Sequence, residues 1–123
     1  MITDPKWNAS VGRWEIPGEW AEIINRYVVY GISPGSFFTA LLANDLLMAA
    51  CKSHPANTWA AIICVCKWLL NEAPYACHGS YDAIDKWTSL PQAERRRICE
   101  VKQLILTEQE EMWEIMKKKQ TEV

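Results

Sequence analysis

Two neighbouring stretches of the sequence, 36–51 and 59–70, are apolar almost throughout. At helical spacing their apolar side chains cover every side of each helix. A helix without a polar face must be covered on all sides by other groups. We therefore expect the two helices either to form the centre of one all-helical domain or to be covered by a second copy of the chain. Polar residues within them, Asn44, Asp45 and Lys67, then become candidates for function.

Composition narrows the classes of function. The 123 residues suit one domain with a real core, and 13 basic against 15 acidic side chains give a net charge of −2. This charge argues against nucleic-acid binding, which needs clustered positive charge. Both apolar stretches fall short of the ~20 residues of a membrane span, so no membrane partner is expected. A polar N-terminus without the pattern of a signal peptide and five cysteines, an odd number, indicate free thiols in a reducing cytoplasm.

Local signals predict a compact all-α bundle of about five helices in a single domain, 1–123. Residues 1–15 are expected to form an irregular N-terminal arm. The first helix begins at Pro17 and ends at Gly31, and Ser80 is expected to cap the fourth. The fifth is predicted as one long C-terminal helix, 91–119, whose second half overhangs the core. Its apolar residues fit a heptad seam interrupted by Glu108; they are Ile98, Val101, Ile105, Met112 and Ile115. Such an overhanging amphipathic helix favours oligomerisation.

The polar pair Asn44 and Asp45 interrupts the first apolar stretch. A buried carboxylate without a partner is costly, so Asp45 needs a cation or several hydrogen-bond donors. One interpretation is a structural ion pair with Arg26 or Lys67. The other is the polar floor of a ligand pocket.

Three other groups of residues are considered as anion-binding, metal-binding or catalytic sites, and each has an ordinary structural interpretation as well. The Gly79–Ser80 start of a helix is either an ordinary cap or a seat for a phosphate or carboxylate. The Cys and His residues at 51, 54, 77 and 78 have no known zinc spacing and no third group to orient a nucleophile, so no metal ligand and no catalytic residue are assigned. Glu108, Glu111 and Glu114 either line a solvated face or, opposite Glu19 and Glu22, hold Mg²⁺ as in all-helical nucleotide pyrophosphohydrolases.

Two strings have a family likeness. The first is Arg26-Tyr27-x3-Gly31-Ile32-x-Pro34-Gly35-x-Phe37-Phe38, which continues to Ala43-Asn44-Asp45-Leu46, and the second is Asn71-Glu72-Ala73-Pro74-x2-Cys77-x-Gly79-Ser80, followed by Trp87. Over about residues 16–88 the chain resembles a group of small, mostly uncharacterised accessory proteins of tailed bacteriophages. Members often carry Trp at the position of His78. The segment from Pro91 onward lies outside the resemblance.

The resemblance implies a small phage protein that acts on host machinery or on host immunity. The leading hypothesis is a non-enzymatic binding protein, without a cofactor, that acts in the cytoplasm of the infected bacterium against host defence. One hypothesis is a homo-oligomer that sequesters a nucleotide-like immune signal, as some unrelated phage proteins do. The residues expected to bind that ligand offer aromatic faces and polar groups; they are Arg26, Tyr27, Tyr30, Asn44, Asp45, Asn71, His78, Ser80 and Trp87. The alternatives are an inhibitor or adaptor that binds a host protein, and a Mg²⁺-dependent nucleotide hydrolase.

Overall fold

The computed structural model describes residues 2–121, with the side chains of residues 2–117. Eight α-helices and no strand occur in this part of the chain. The helices are α1 (Pro5–Arg13), α2 (Gly18–Tyr30), α3 (Ser36–Leu42), α4 (Leu46–Lys52), α5 (Trp59–Asn71), α6 (Tyr81–Ser89), α7 (Gln92–Val101) and α8 (Glu108–Thr121), and a 3-10 turn (Tyr75–Cys77) precedes α6. The all-α class is confirmed, whereas the prediction of about five helices with one long C-terminal helix is wrong.

The N-terminal arm is a helix rather than an irregular segment. Asp4 caps α1 by accepting hydrogen bonds from the backbone N–H groups of Lys6 and Trp7, and Pro5 occupies the first turn. The other carboxylate oxygen of Asp4 accepts from the N–H of Leu106, 3.0 Å away, and so links α1 to the α7–α8 connection. The Asp-Pro signal for this helix was present in the sequence.

The predicted helix over 36–51 is two helices, α3 and α4. Asn44 has φ +63°, a left-handed conformation that ends α3, and Asp45 caps α4 by accepting from the N–H of Met48. Asn and Asp are the residues that best tolerate such a corner. Asn44 and Asp45 therefore form the corner between α3 and α4, and they do not lie inside one continuous helix.

The predicted helix over 91–119 also divides. Gln103 has φ +60°, and the N–H of Leu104 donates to the Cys99 carbonyl, which ends α7. Thr107 and Glu110 then form a reciprocal capping box, with backbone N–H to side-chain distances of 3.2 Å in both directions. The heptad seam expected across this region is interrupted by the turn, while the exposed apolar side chains of α8 agree with the predicted overhang.

One hydrophobic cluster joins α1, α2, α3, α5, α6 and α7. Trp7 and Trp68 meet edge to face with ring centroids 5.3 Å apart, and the indole N–H of Trp68 donates to the Ser10 hydroxyl. All five cysteines are free thiols, and Cys77 and Cys99 are fully buried within the cluster. No helix in the described part of the chain has the length and apolar character needed to cross a membrane.

Both ends of α2 and the start of α6 lie where the local sequence signals predict them. Pro17 precedes α2, and Gly31 terminates it in the left-handed conformation. The Ser80 hydroxyl accepts from the N–H of Ala83 at the start of α6.

Candidate functional site

The nine residues expected to form one ligand site lie in four different places. Tyr27 and Trp87 are buried in the core, and Arg26 and Tyr30 line a groove beside α8. Asn71 lies at the end of α5, where its amide donates to the Lys67 carbonyl. The remaining four lie together where the α3–α4 corner meets the start of α6; they are Asn44, Asp45, His78 and Ser80.

Tyr27 and Trp87 are structural. The Tyr27 hydroxyl donates to the Cys77 carbonyl at 2.7 Å, and burial raises the pKa of the phenol well above its usual range. The indole N–H of Trp87 lies between the carbonyl oxygens of Tyr27 and Val28, at 3.3 and 3.1 Å. Neither ring presents a face to solvent, so neither is available to stack on a ligand.

We define the junction surface as Asn44, Asp45, Tyr75, His78, Ser80 and Tyr81. Its two halves are joined by the Tyr81 hydroxyl, which donates to Asp45 at 2.7 Å, and by the Gly79 N–H, which donates to the Leu42 carbonyl at 2.7 Å. The partners of Asp45 are therefore a phenol and its own helix, which contradicts the expected ion pair with Arg26 or Lys67.

Aromatic rings form the outer part of the junction surface. Tyr75 is 91% exposed, and its ring lies edge-on to the His78 ring with centroids 6.3 Å apart. Partial burial lowers the pKa of His78, which favours the neutral imidazole. The hydrogen bond to Asp45 raises the pKa of the Tyr81 phenol, because the carboxylate favours the protonated donor.

The six residues of the junction surface carry one carboxylate and no cationic side chain. Tyr75 and Tyr81 had not been identified as site residues from the sequence. Tyr81 occurs one position after the cap of a helix with Ile84 and Trp87 on its inner side. The signal that was available is that Tyr75 and Tyr81 flank the Cys77–Ser80 turn closely.

The groove beside α8 has a volume of about 580 Å³, and its walls come from α2, α7, α8 and the N-terminal segment. Its cations are Arg26 and Arg96, and its carboxylates are Asp4, Glu22, Glu111 and Glu114. Arg96 is already bound by Glu100 at 3.1 Å and by Glu111. The excess of carboxylates makes the groove a poor seat for a phosphate.

Of the carboxylates considered for Mg²⁺, Glu22, Glu111 and Glu114 line the groove beside α8. Glu111 is bound there by Arg96, a contact that ties α8 to α7. Within the described residues, no group of three His, Cys, Asp or Glu side chains is arranged to hold a metal ion.

No family model, curated protein or solved structure matches the chain.

Proposed function

We propose that the protein is a non-enzymatic phage accessory protein that counters a host defence by binding a host protein through the junction surface. The observation that carries the proposal is the pair of exposed tyrosine rings, Tyr75 and Tyr81, in the segment that also holds the half-buried His78. All six residues of this surface lie in or directly beside the two strings that resemble phage accessory proteins. The proposed place of action is the cytoplasm of the infected bacterium.

The composition of the junction surface favours a protein target. Tyrosine, serine, asparagine and glycine supply rigid contact area and adaptable hydrogen bonds, and they dominate surfaces that recognise proteins. Tyrosine is also among the residues that most often carry the binding energy of an interface. An exposed Leu47 on the first turn of α4 adds an apolar contact next to Asp45.

Sequestration of a nucleotide-like signal is the second candidate. It is favoured by the contact between the two parts of the surface, which brings Asn44, Asp45, His78 and Ser80 to one place beside two tyrosine rings. Against it, the surface offers no cation to a phosphate and contains the Asp45 carboxylate. A neutral base or nucleoside fits this chemistry better than a phosphate group does.

The test begins with affinity capture from a lysate of the bacterial host, followed by calorimetric titration of the purified captured protein against the wild type and two variants. Tyr75→Ala removes the most exposed ring of the junction surface, and we expect at least about thirtyfold weaker binding, the effect of losing one interface hot spot. Tyr30→Ala is the matched control, because Tyr30 is an exposed tyrosine outside the surface. Its affinity should equal that of the wild type.

Equal affinity of the Tyr75→Ala and wild-type proteins would reject the junction surface as the binding site. Native mass spectrometry of the protein purified from infected cells distinguishes the second candidate. A small molecule that is released intact on denaturation, and that is lost from Tyr75→Ala, would assign the surface to ligand sequestration.

A further inference from the structure

α5 is apolar on its outer side as well as on its inner side. Val65, Trp68 and Leu69 face the core, whereas three apolar residues of the opposite side are open to solvent: Trp59 (65% exposed), Ile63 (47%) and Leu70 (81%). The outer side includes one charged residue, Lys67. We define the α5 stripe as Trp59, Ile63, Lys67 and Leu70.

We propose that the α5 stripe pairs with the α5 stripe of a second copy of this chain, antiparallel, across a two-fold axis at Ile63. The proposal is independent of the proposed function, which uses a different surface. It assigns self-association to α5 rather than to the C-terminal helix.

A groove of about 260 Å³ adjoins the stripe at the N-terminal end of α5, between α3, α4 and α5. Its walls are mainly apolar and include Phe37, Leu41, Leu46, Ala49, Trp59 and Ile62. Leu46 is largely exposed at its rim. Together, the stripe and the rim expose several hundred Å² of apolar surface, the size at which a patch marks an interaction site.

The stripe and the groove are complementary to a copy of themselves. In an antiparallel pair centred on Ile63, each residue faces the one that lies equally far on the other side of the centre. At 1.5 Å per residue, Leu70 lies about 10 Å from Ile63, just beyond Thr58, the residue that caps α5 in the second copy. Pro55 and Asn57, which precede that cap, line the groove. The exposed Leu70 of each copy therefore enters the groove of the other.

The same symmetry accommodates the single charge of the stripe. Lys67 lies four residues after Ile63, and Trp59 lies four residues before it. Each Lys67 ammonium is thus brought over the Trp59 ring of the other copy, a favourable cation–π contact, while its methylene groups cover apolar surface. No opposing carboxylate is required, which fits a surface that meets its own copy.

A two-fold interface has the same patch on both partners, so it requires a projection and a recess on one surface. Leu70 and the groove meet this requirement. The area needed is roughly 800 Å² from each partner, and α5 with the groove rim offers an apolar centre for such an interface. The stripe offers a charged partner protein only one charged side chain, Lys67, with which to form an ion pair.

The test is sedimentation equilibrium and light scattering of the full-length protein over a wide concentration range. The wild type should be a dimer. Ile63→Glu places two carboxylates against each other at the axis, and we expect the dissociation constant to rise at least about a hundredfold. Since Ile63 is half exposed in the single chain, circular dichroism should show an unchanged fold.

Ile115→Glu is the matched control, because Ile115 is an isoleucine of similar exposure, 55%, on α8. It should remain as dimeric as the wild type. A second measurement uses Ile63→Cys in a Cys51→Ser background, because Cys51 is exposed. It should give a covalent dimer on mild oxidation where the Cys51→Ser chain alone does not.

Three outcomes would overturn the proposal. The first is a dimer that survives Ile63→Glu, and the second is a dimer that is lost in Ile115→Glu, which would assign self-association to α8. The third is a wild-type monomer at every concentration, which would leave the stripe to another kind of macromolecule.

Discussion

Arg95 is a buried cation that closes the turn between α6 and α7. Only 6% of it is exposed, and its guanidinium donates to the Trp87 carbonyl at 3.0 Å, to the Leu90 carbonyl and to the side chain of Gln92. Gly31 lies against it: a Cβ at Gly31 would approach the guanidinium carbon to 2.5 Å. The end of α2 is therefore glycine for two reasons, its φ of +69° and the arginine beside it.

Replacing Arg95 by alanine should be strongly destabilising. Arg95→Ala removes the guanidinium hydrogen bonds to the Trp87 and Leu90 carbonyls together with a packed side chain. We expect it to lower the free energy of unfolding by about 3 kcal/mol. Arg97→Ala is the control, because Arg97 is exposed and its ion pair with Glu94 contributes little. Urea unfolding followed by circular dichroism measures both. Similar losses in the two variants would refute the structural role of Arg95.

His78 should make stability depend on pH. Because burial places its pKa in the folded protein below the ordinary histidine value of about 6.5, the unfolded chain binds more protons than the folded one as the pH falls below that value. The contribution of neutral His78 to the free energy of unfolding is therefore complete above that pH. It is lost as the pH falls through the pKa that His78 has in the folded protein. The melting temperature of His78→Gln should fall less steeply between neutral and mildly acid pH than that of the wild type. Parallel curves would contradict this assignment.

At the scale of helices, the sequence predicts the helix ends that are determined by one or two neighbouring residues. Gly31 and Ser80 ended α2 and began α6 as expected, since a C-terminal glycine and a serine cap act within a few residues. The division at Asn44 was missed because apolar periodicity continues through it. A left-handed asparagine looks the same in sequence as a polar residue inside a helix.

The α7–α8 division shows the same limit. Thr107 and Glu110 had the spacing of a capping box, but the heptad pattern on both sides favoured a continuous helix. Periodicity cannot report a turn at which the pattern changes from core residues, such as Ile105, to exposed ones, such as Met112.

α8 is attached mainly by polar contacts. Lys6 binds Glu110 at 2.6 Å and Arg96 binds Glu111, whereas Met112, Trp113 and Ile115 are more than half exposed. Partly exposed ion pairs are weakened by salt. We expect hydrogen exchange of the backbone amides in α8 to accelerate as the salt concentration rises, while exchange in the buried helix α2 stays constant. An α8 as slow as α2 at all salt concentrations would show that other contacts hold it.

For the whole molecule, the sequence was a better guide to residue type than to location. Aromatic and polar residues of the right chemistry were present, but Tyr27 and Trp87 are used in the core and only four of the nine expected residues lie together. Which face of α2 or α6 is buried depends on contacts with distant helices. That information is absent from local spacing.

The two proposed surfaces meet on α4. Asp45, its cap, belongs to the junction surface, and Leu46, its first residue, lies at the rim of the groove beside α5. A dimer formed through α5 would therefore present two junction surfaces, and a host protein would be bound at a ratio of two to two.

The different exposure of the five thiols allows unfolding to be followed by the rate at which the buried cysteines react. Cys51 is open to reagents, whereas Cys77 and Cys99 are sealed in the core, where burial raises the pKa of the Cys99 thiol to about 12. Only thiolates react appreciably. The two buried sulfurs consequently become countable by a coloured thiol reagent only when the core opens, and the time course of their labelling records that opening without any added probe.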